Sequence, residues 1–178
     1  MIRFMGKVLE KGEGWFMKEN ELVVELIEEI RKSRIMLGKI DSFYQEFKNN
    51  ELILLGRKRA SAIVIAEIMV DFYTCLETLF LRISQFFENT LETNKWHSDL
   101  LHKMTLEIEG ARKAVISDET CSILLEFMKF RHFKRYYFEF EYDWDKLEFL
   151  EKKYRQVKPL LERDLKDFED FLNRLKQL

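Results

Sequence analysis

Apolar residues recur at every third or fourth position along most of this chain, and that spacing is typical of helices packed against one another. The most regular stripe contains Leu147, Leu150, Tyr154, Val157, Leu161, Leu165, Phe168, Leu172 and Leu175. No stretch of useful length alternates apolar with polar residues, as a half-buried strand would. The spacing therefore predicts an all-α protein.

The apolar pattern divides into five helical segments. They cover residues 20–49, 57–89, 96–106, 120–137 and 144–178. Asn20 and Asp143 are candidate N-caps of the first and last helices, and Gly110 marks a turn. Pro159 lies inside the last stripe and is expected to kink that long C-terminal helix, because proline removes a backbone donor and crowds the preceding turn. Four main helices and one short helix predict an up-and-down four-helix bundle.

The length of the chain suits one domain, which would bury roughly 70% of its unfolded surface. Residues 1–18 hold three of the six glycines and show no clear period, so we predict a loosely ordered arm at 1–18 and a single helical domain at 19–178. No uninterrupted apolar run reaches the ~20 residues of a membrane span, and the N-terminal residues lack a signal-peptide pattern. Cys75 and Cys121 are isolated in sequence, which indicates a reducing environment. We therefore expect a cytoplasmic protein with no membrane partner.

The chain carries 30 basic and 32 acidic side chains, so attraction to an anionic ligand must come from a local cluster. The densest basic segment is Lys129–Tyr137. On a helix Arg131 and Arg135 lie one turn apart, as do His132 and Tyr136. Guanidinium groups match phosphate geometry, and imidazole exchanges protons near neutral pH. The segment thus offers what RNA cleavage without a metal requires: a base for the ribose 2′-hydroxyl, and cations that stabilise the charge on phosphorus.

A structural explanation of the same residues stays open. Basic residues at the C-terminus of a helix interact favourably with its dipole. Acidic residues that could pair with them follow directly: Glu139, Glu141, Asp143 and Asp145. On the most apolar helix, Asp71 and Glu77 are expected to be buried acceptors, which need partners such as Arg59 or Arg131.

Signals for a cofactor or a metal are weak. The chain has no Gly-rich phosphate loop, nucleophile elbow or HExxH motif. His97 and His102 flank Asp99 on the short helix, but spacings of two and three residues place the three side chains on different faces. We predict neither a cofactor nor a metal site.

Several pieces of the chain occur in the order and spacing of a known family. They are Arg59-Ala-Ser-Ala, Asp71-Phe-Tyr-Thr-Cys-Leu-Glu77 with Phe80, Trp96-His97 with Leu100-Leu101 and Met104, Gly110-Ala-Arg112, Val115-Ile-Ser117, Phe130-Arg-His132, Arg135, Tyr137 and the helix start Asp143–Leu147. Through these pieces the stretch 59–147 resembles the HepT-like branch of the HEPN superfamily, which comprises helical proteins of prokaryotic toxin–antitoxin and defence systems.

The resemblance implies a four-helix HEPN bundle that pairs as a homodimer, with the basic motifs of both protomers facing one cleft. Active members are metal-independent endoribonucleases that carry an Arg, a polar residue directly after it and a His a few positions later. Arg131 matches the Arg and His132 the polar residue. Tyr136 stands at the position of the His, and Phe138 at that of a tyrosine some members carry. A phenol with an ordinary pKa near 10 is a poor general base at neutral pH, so the chain departs from the family at its catalytic base.

Two sets of candidate residues follow. The candidate catalytic residues are Arg131, His132 and Tyr136. The candidate phosphate-binding residues are Lys129, Arg131, Arg135 and Tyr137.

Three functions are compatible with these residues. The first is a HepT-like toxin: an RNA-binding dimer, with endoribonuclease activity as in active members, regulated by a nucleotidyltransferase-type antitoxin. The second is a catalytically degenerate module that binds a nucleotide, RNA or a nucleotidyltransferase partner without turnover. The third is an oligomerisation scaffold, in which intramolecular carboxylates would close the basic face.

Overall fold

The computed structural model describes residues 13–88, 96–136 and 141–176, with side chains for 20–87, 99–135 and 141–176. The helices are α1 (Glu13–Asn49), α2 (Glu51–Leu55), α3 (Arg59–Glu88), α4 (Trp96–Thr105), α5 (Asp118–Tyr136) and α6 (Trp144–Leu175). In these ranges no strand occurs, only one isolated bridge between Ile108 and Arg112. Helices α1, α3, α5 and α6 form the four-helix bundle and α4 is the short additional helix, which confirms the predicted all-α architecture.

Helix α3 lies in the middle of the bundle and contacts α1, α4, α5 and α6. Its sequence is apolar around most of its circumference, and Ile65, Met69, Leu76, Leu79 and Ile83 are fully buried. Burial of each such side chain contributes about 1.5–3 kcal/mol. Helix α3 is therefore the element against which the helices of the candidate site are packed.

An aromatic cluster joins α3 to α5 and α6. The Phe72 ring lies edge-on to Phe127 at a centroid distance of 5.2 Å and edge-on to Tyr154 at 4.9 Å. Edge-to-face pairs at such distances contribute about 0.5–1.5 kcal/mol beyond the area that they bury. The cluster fixes how α5 and α6 rotate about their own axes relative to α3.

Two predicted helix starts had different outcomes. Helix α1 begins at Glu13, so Asn20 lies inside the helix, and the prediction that Asn20 is its N-cap is wrong. No proline lies between the two positions, and Gly14 disfavours the first turn by only about 1 kcal/mol, so the helix extends toward the N-terminus. The N-cap of α6 is confirmed, because the Asp143 carboxylate accepts a hydrogen bond from the backbone N–H of Asp145 at 2.9 Å. Helix α6 runs through Pro159 to Leu175, and the kink at that proline stays a prediction.

Helix α2 was not predicted. It has only five residues, none of them buried, and its apolar residues are consecutive and show no helical period. The residue after its last one, Leu55, is the C-cap Gly56, whose φ of +70° is a backbone conformation that glycine adopts at little cost. The turn near Gly110, where φ is +73°, was predicted from its glycine and is confirmed.

The division of the chain into an arm and a domain stays a prediction. Residues 1–12 of the predicted arm lie outside the described residues, and residues 13–18 belong to α1. The cysteines Cys75 and Cys121 are free thiols, and burial raises the pKa of each. None of the described helices combines the length and the apolarity that crossing a bilayer requires.

Two buried tyrosines form polar contacts between α1 and α6. The Tyr44 hydroxyl donates to Glu151 Oε1 at 2.9 Å, and Lys48 Nζ lies 2.9 Å from the same carboxylate oxygen. The Tyr154 hydroxyl donates to Asp41 Oδ1 at 3.2 Å. Burial and these carboxylates raise the pKa of both tyrosines, so the phenols stay protonated donors at neutral pH.

The start of α5 is capped from two sides. Ser117 Oγ accepts a hydrogen bond from the backbone N–H of Thr120 at 3.2 Å, as an N-cap residue does. Asp164 on α6 accepts hydrogen bonds through Oδ2 from the Ser117 N–H at 2.8 Å, the Ser117 hydroxyl at 2.9 Å and the Thr120 hydroxyl at 2.6 Å. Burial alone would raise the pKa of Asp164, but these hydrogen bonds outweigh it and hold the pKa below its ordinary value.

We expect Asp164→Asn to lower the free energy of unfolding at neutral pH by about 1–2 kcal/mol, because an amide oxygen accepts less strongly than a carboxylate. The folded-state pKa lies below the unfolded value of about 3.9, so this contribution is present above pH 4 and lost as the pH falls through the folded pKa. Urea unfolding between pH 2 and pH 7 should show the two proteins converge under acid. Asp167→Asn, which changes an exposed acid on the same helix, is the control; an equal effect there would contradict the assignment.

The end of α4 is also held by a tertiary contact. Arg112 is a buried residue, 2% exposed. Its Nη2 donates to the Lys103 carbonyl at 2.7 Å, and its Nη1 donates to the Leu106 carbonyl at 2.8 Å. These carbonyls belong to the last turn of α4 and the residue after it, where helical N–H donors run out. The Lys103 carbonyl also accepts the backbone N–H of Leu106 at 3.2 Å, so the buried guanidinium adds to the last turn of the helix.

Candidate functional site

The basic segment forms the C-terminal half of α5, between α3 on one side and the start of α6 on the other. Because consecutive residues of a helix are rotated by about 100°, the segment presents its side chains in different directions. Arg131 faces α3, while Lys129 and Phe133 face α6. The candidate residues therefore do not form one cluster within a single chain.

Arg131 is fixed by contacts with α3. Its Nη2 lies 3.0 Å from Glu77 Oε2, and its Nε donates to the Thr74 hydroxyl at 3.3 Å. The side chains of Arg131 and Glu77 are 19% and 6% exposed. The alternative in which Glu77 is a buried acceptor for Arg131 is thereby confirmed. Nη1 takes part in neither of these two contacts.

Asp71 does not share this environment. Its side chain is exposed, so the prediction that it is a buried acceptor is wrong. Glu77 is six positions after Asp71, which places the two side chains about 240° apart around the helix. They therefore cannot both face α5. Partial burial raises the pKa of Asp71.

Two further cations lie on the same side of α5 as Arg131. Lys134 forms an ion pair with Glu67 of α3, and burial lowers its pKa. Arg135 is exposed and lies one turn beyond Arg131. Arg131 and Arg135 are four residues apart, so the guanidinium that Glu77 holds and the exposed guanidinium lie on the same face near the end of α5.

The remaining candidate residues lie on other faces of α5 or outside the described residues. Lys129 is exposed and pairs with Glu126 at 2.8 Å. His132 is half-buried and lies about 100° around the helix from Arg131. Tyr136 is the last residue of α5, and its side chain is outside the described residues, as is all of Tyr137.

The acids that pair with the described basic residues come from α3 and from α5. They are Glu67, Glu77 and Glu126. The acids that follow the segment are placed differently: Asp143 caps α6, while Glu141 and Asp145 are exposed. Among the residues that the structure describes, none of these acids forms an ion pair with Arg135. Glu139 lies outside those residues, so the oligomerisation scaffold, in which intramolecular carboxylates close the basic face, stays an alternative.

The sequence analysis missed a pocket of about 320 Å³ between α5 and the start of α6. The buried side chains of Leu147 and Leu150 line its inner part. Phe130 and Tyr142, with ring centroids 6.1 Å apart, and the exposed Phe133 form aromatic walls. The available signal was the recurrence of Phe at positions 130 and 133, a spacing of three that places both rings on one helix face.

No metal centre emerges from the part of the chain that carries described side chains, since no three His, Cys, Asp or Glu side chains converge there. Asp99 and His102 of α4 are exposed, and the side chain of His97 lies outside the described residues. The predictions of no metal and no cofactor stay predictions.

Comparison with known proteins gives one match. A family model described as "HepT-like protein" matches residues 64–172, from the first turns of α3 to the last turns of α6 and hence across α5 and its basic segment. No curated protein and no solved structure matches the chain. The match spans more than half of the sequence and includes the whole site described above. The chain therefore belongs to the HepT-like family, of the HEPN type.

Proposed function

We propose that this chain is a toxin-type HepT-like protein that binds RNA at the end of α5, acts as a homodimer and is regulated by a nucleotidyltransferase-type antitoxin. Family membership supports the toxin-like character and the antitoxin context. A twofold axis next to α5 would bring the second copy's Arg131 and Arg135 to the same cleft and double the local positive charge.

The observation that carries the proposal is the orientation of Arg131 beside the exposed Arg135. Glu77 and Thr74 hold the Arg131 side chain, so a ligand that binds it does not have to order it first. Arg135 supplies a second guanidinium one turn away. Paired guanidinium groups favour phosphate over neutral ligands, because both carry positive charge and N–H donors that match the phosphate oxygens.

The same geometry supports phosphodiester cleavage as the first candidate activity. Arg131 and Arg135 would stabilise the charge that builds on the phosphate in the transition state. His132 would take the proton from the ribose 2′-hydroxyl, because imidazole titrates near neutral pH. Since His132 lies about 100° from Arg131, the RNA would have to lie across the end of the helix and contact both faces.

A second candidate, a binding module without turnover, is favoured by Tyr136. This tyrosine stands where active members of the superfamily carry their His. A phenol holds its proton at neutral pH and cannot supply the general base. The module would keep the phosphate contacts of Arg131 and Arg135 and bind RNA or a nucleotide without cleaving it.

We expect Arg131→Ala/Arg135→Ala to weaken binding of single-stranded RNA by about tenfold or more per arginine, because each removes charge-assisted hydrogen bonds to phosphate of about 1.5–3 kcal/mol. The slope of log affinity against log salt should fall by about 1.4, the value for two phosphates on a single strand. Fluorescence anisotropy at several salt concentrations measures both. Lys166→Ala/Arg174→Ala removes the same charge from exposed sites on α6 and should change neither.

Gel analysis of the same RNA, incubated with a chelator, separates the two candidates. Cleavage that disappears in His132→Ala and in Arg131→Ala supports the endoribonuclease. Binding without cleavage supports the module. An affinity that is unchanged in the double arginine variant, or absent in the wild type, would overturn the proposed function.

A further inference from the structure

We propose that the pocket between α5 and α6 binds one unpaired nucleobase of the RNA whose phosphates contact Arg131 and Arg135. The inference rests on the proposed function, because it names the part of the RNA that this same helix end recognises. It assigns a stacking site to side chains that no catalytic step requires, namely Phe133 of α5 and Phe149 of α6.

The lining of the pocket suits a flat, largely apolar ring. Leu147 and Leu150 are 0% and 4% exposed and close its inner part, whereas Phe133 and Phe149 are 37% and 47% exposed at its mouth. Exposed rings of this size at a concave site are the platforms on which unstacked bases pack. The volume of about 320 Å³ is at the lower end of the ~300–1,000 Å³ typical of small-molecule sites, so it suits one base with its sugar and no longer segment.

The charges at the pocket favour the base over the phosphate. Lys129 is already paired with Glu126 at 2.8 Å, and Lys146 Nζ lies 5.8 Å from the centroid of the Phe133 ring. The lining also includes the carboxylates of Glu141 and Asp143. Carboxylates repel a phosphate but accept hydrogen bonds from the amino groups of a base. A neutral base inside and phosphates outside, at the arginines, therefore fit the charge distribution.

The pocket and the arginines lie on opposite sides of α5. Arg131 and Phe133 are two residues apart, about 3 Å along the helix axis and about 200° around it, and a helix with its side chains is about 10–12 Å across. An RNA strand that crosses the end of α5 would therefore need more than one nucleotide to place a phosphate at the arginines and a base in the pocket. Duplex RNA cannot do so, because its bases are paired and stacked.

The test uses short single-stranded RNA that contains 2-aminopurine, whose emission falls when it stacks on an aromatic ring. A second oligonucleotide of the same length carries abasic sugars, which keep every phosphate and remove the bases. Affinity is measured by anisotropy for the wild type, for Phe133→Ala/Phe149→Ala and for Phe43→Ala. Phe43 is a matched control, since it is 53% exposed on α1 and outside the pocket. Circular dichroism and thermal unfolding confirm that each variant is folded.

We expect the wild type to quench 2-aminopurine and to bind base-containing RNA about 5- to 150-fold more tightly than Phe133→Ala/Phe149→Ala does. Abasic RNA should bind both proteins equally, and Phe43→Ala should behave as the wild type. Arg131→Ala/Arg135→Ala should bind weakly but still quench at saturation. Wild-type binding without quenching, or an equal affinity in the phenylalanine variant, would overturn the base pocket and leave the proposed function intact. Absence of any RNA binding by the wild type would overturn both.

Discussion

Glu77→Ala should lower the free energy of unfolding by about 3 kcal/mol, because it leaves the Arg131 guanidinium without its carboxylate in a largely buried position. Removing one partner of a buried ion pair costs about 3–5 kcal/mol, and the 19% exposure of Arg131 places this pair at the lower end. For a chain of this length, the loss corresponds to a fall in Tm of about 6–12 °C. Urea unfolding and differential scanning calorimetry measure the two quantities.

A double variant separates charge from packing. Glu77→Leu/Arg131→Met replaces the pair with apolar side chains of similar length and should return to within about 1 kcal/mol of the wild type, since well-packed apolar residues commonly match a buried ion pair. Glu67→Ala, which removes the exposed partner of Lys134, should cost less than about 1 kcal/mol. Equal losses in Glu77→Ala and Glu67→Ala would show that burial does not set the strength of these pairs.

The second large effect is expected at Arg112. Arg112→Ala should lower the free energy of unfolding by about 4 kcal/mol, because it empties a buried position and removes two charge-assisted hydrogen bonds, to the Lys103 and Leu106 carbonyls, of about 1.5–3 kcal/mol each. The measurement is equilibrium unfolding in urea, followed by circular dichroism.

The chain offers matched controls for this position. Arg112→Lys should recover less than half of the loss, because one ammonium lacks the planar fork that reaches two carbonyls at once. Lys113→Ala changes the exposed neighbour and should cost less than about 0.5 kcal/mol. An Arg112→Lys variant as stable as the wild type would contradict this explanation, because it would show that bonding both carbonyls at once does not contribute to stability.

The elements that the sequence predicted are those determined by neighbours along the chain. The four main helices and α4 follow from apolar spacing, and Asp143 was recognisable as an N-cap because its hydrogen bond reaches only two residues ahead. The contacts of Asp164 and Arg112 were not predicted. The partners of Asp164 are more than forty residues away, and periodicity carries no information about which helix a polar side chain will meet.

The site was predicted in part for the same reason. Clustering of charge located the segment Lys129–Tyr137, and the need of a buried acid for a partner suggested that Glu77 would meet Arg131. The direction of each side chain depends on how α5 is rotated against α3 and α6, which the aromatic cluster around Phe72 determines. A list of basic residues could therefore not show that Arg131 and Phe133 face opposite sides, nor that a pocket lies beside one of them.

The tyrosine and carboxylate contacts between α1 and α6 bear on which bundle this sequence can form. Two long amphipathic helices could slide past each other by one turn and still cover most of their apolar stripes. In this chain such a shift of about 5.4 Å would carry Tyr44 away from Glu151 and Tyr154 away from Asp41, so that two buried phenols and the buried Glu151 would lose these hydrogen bonds. Each misaligned arrangement is thereby raised in energy, so the polar pairs select a single register where apolar surfaces alone would tolerate several.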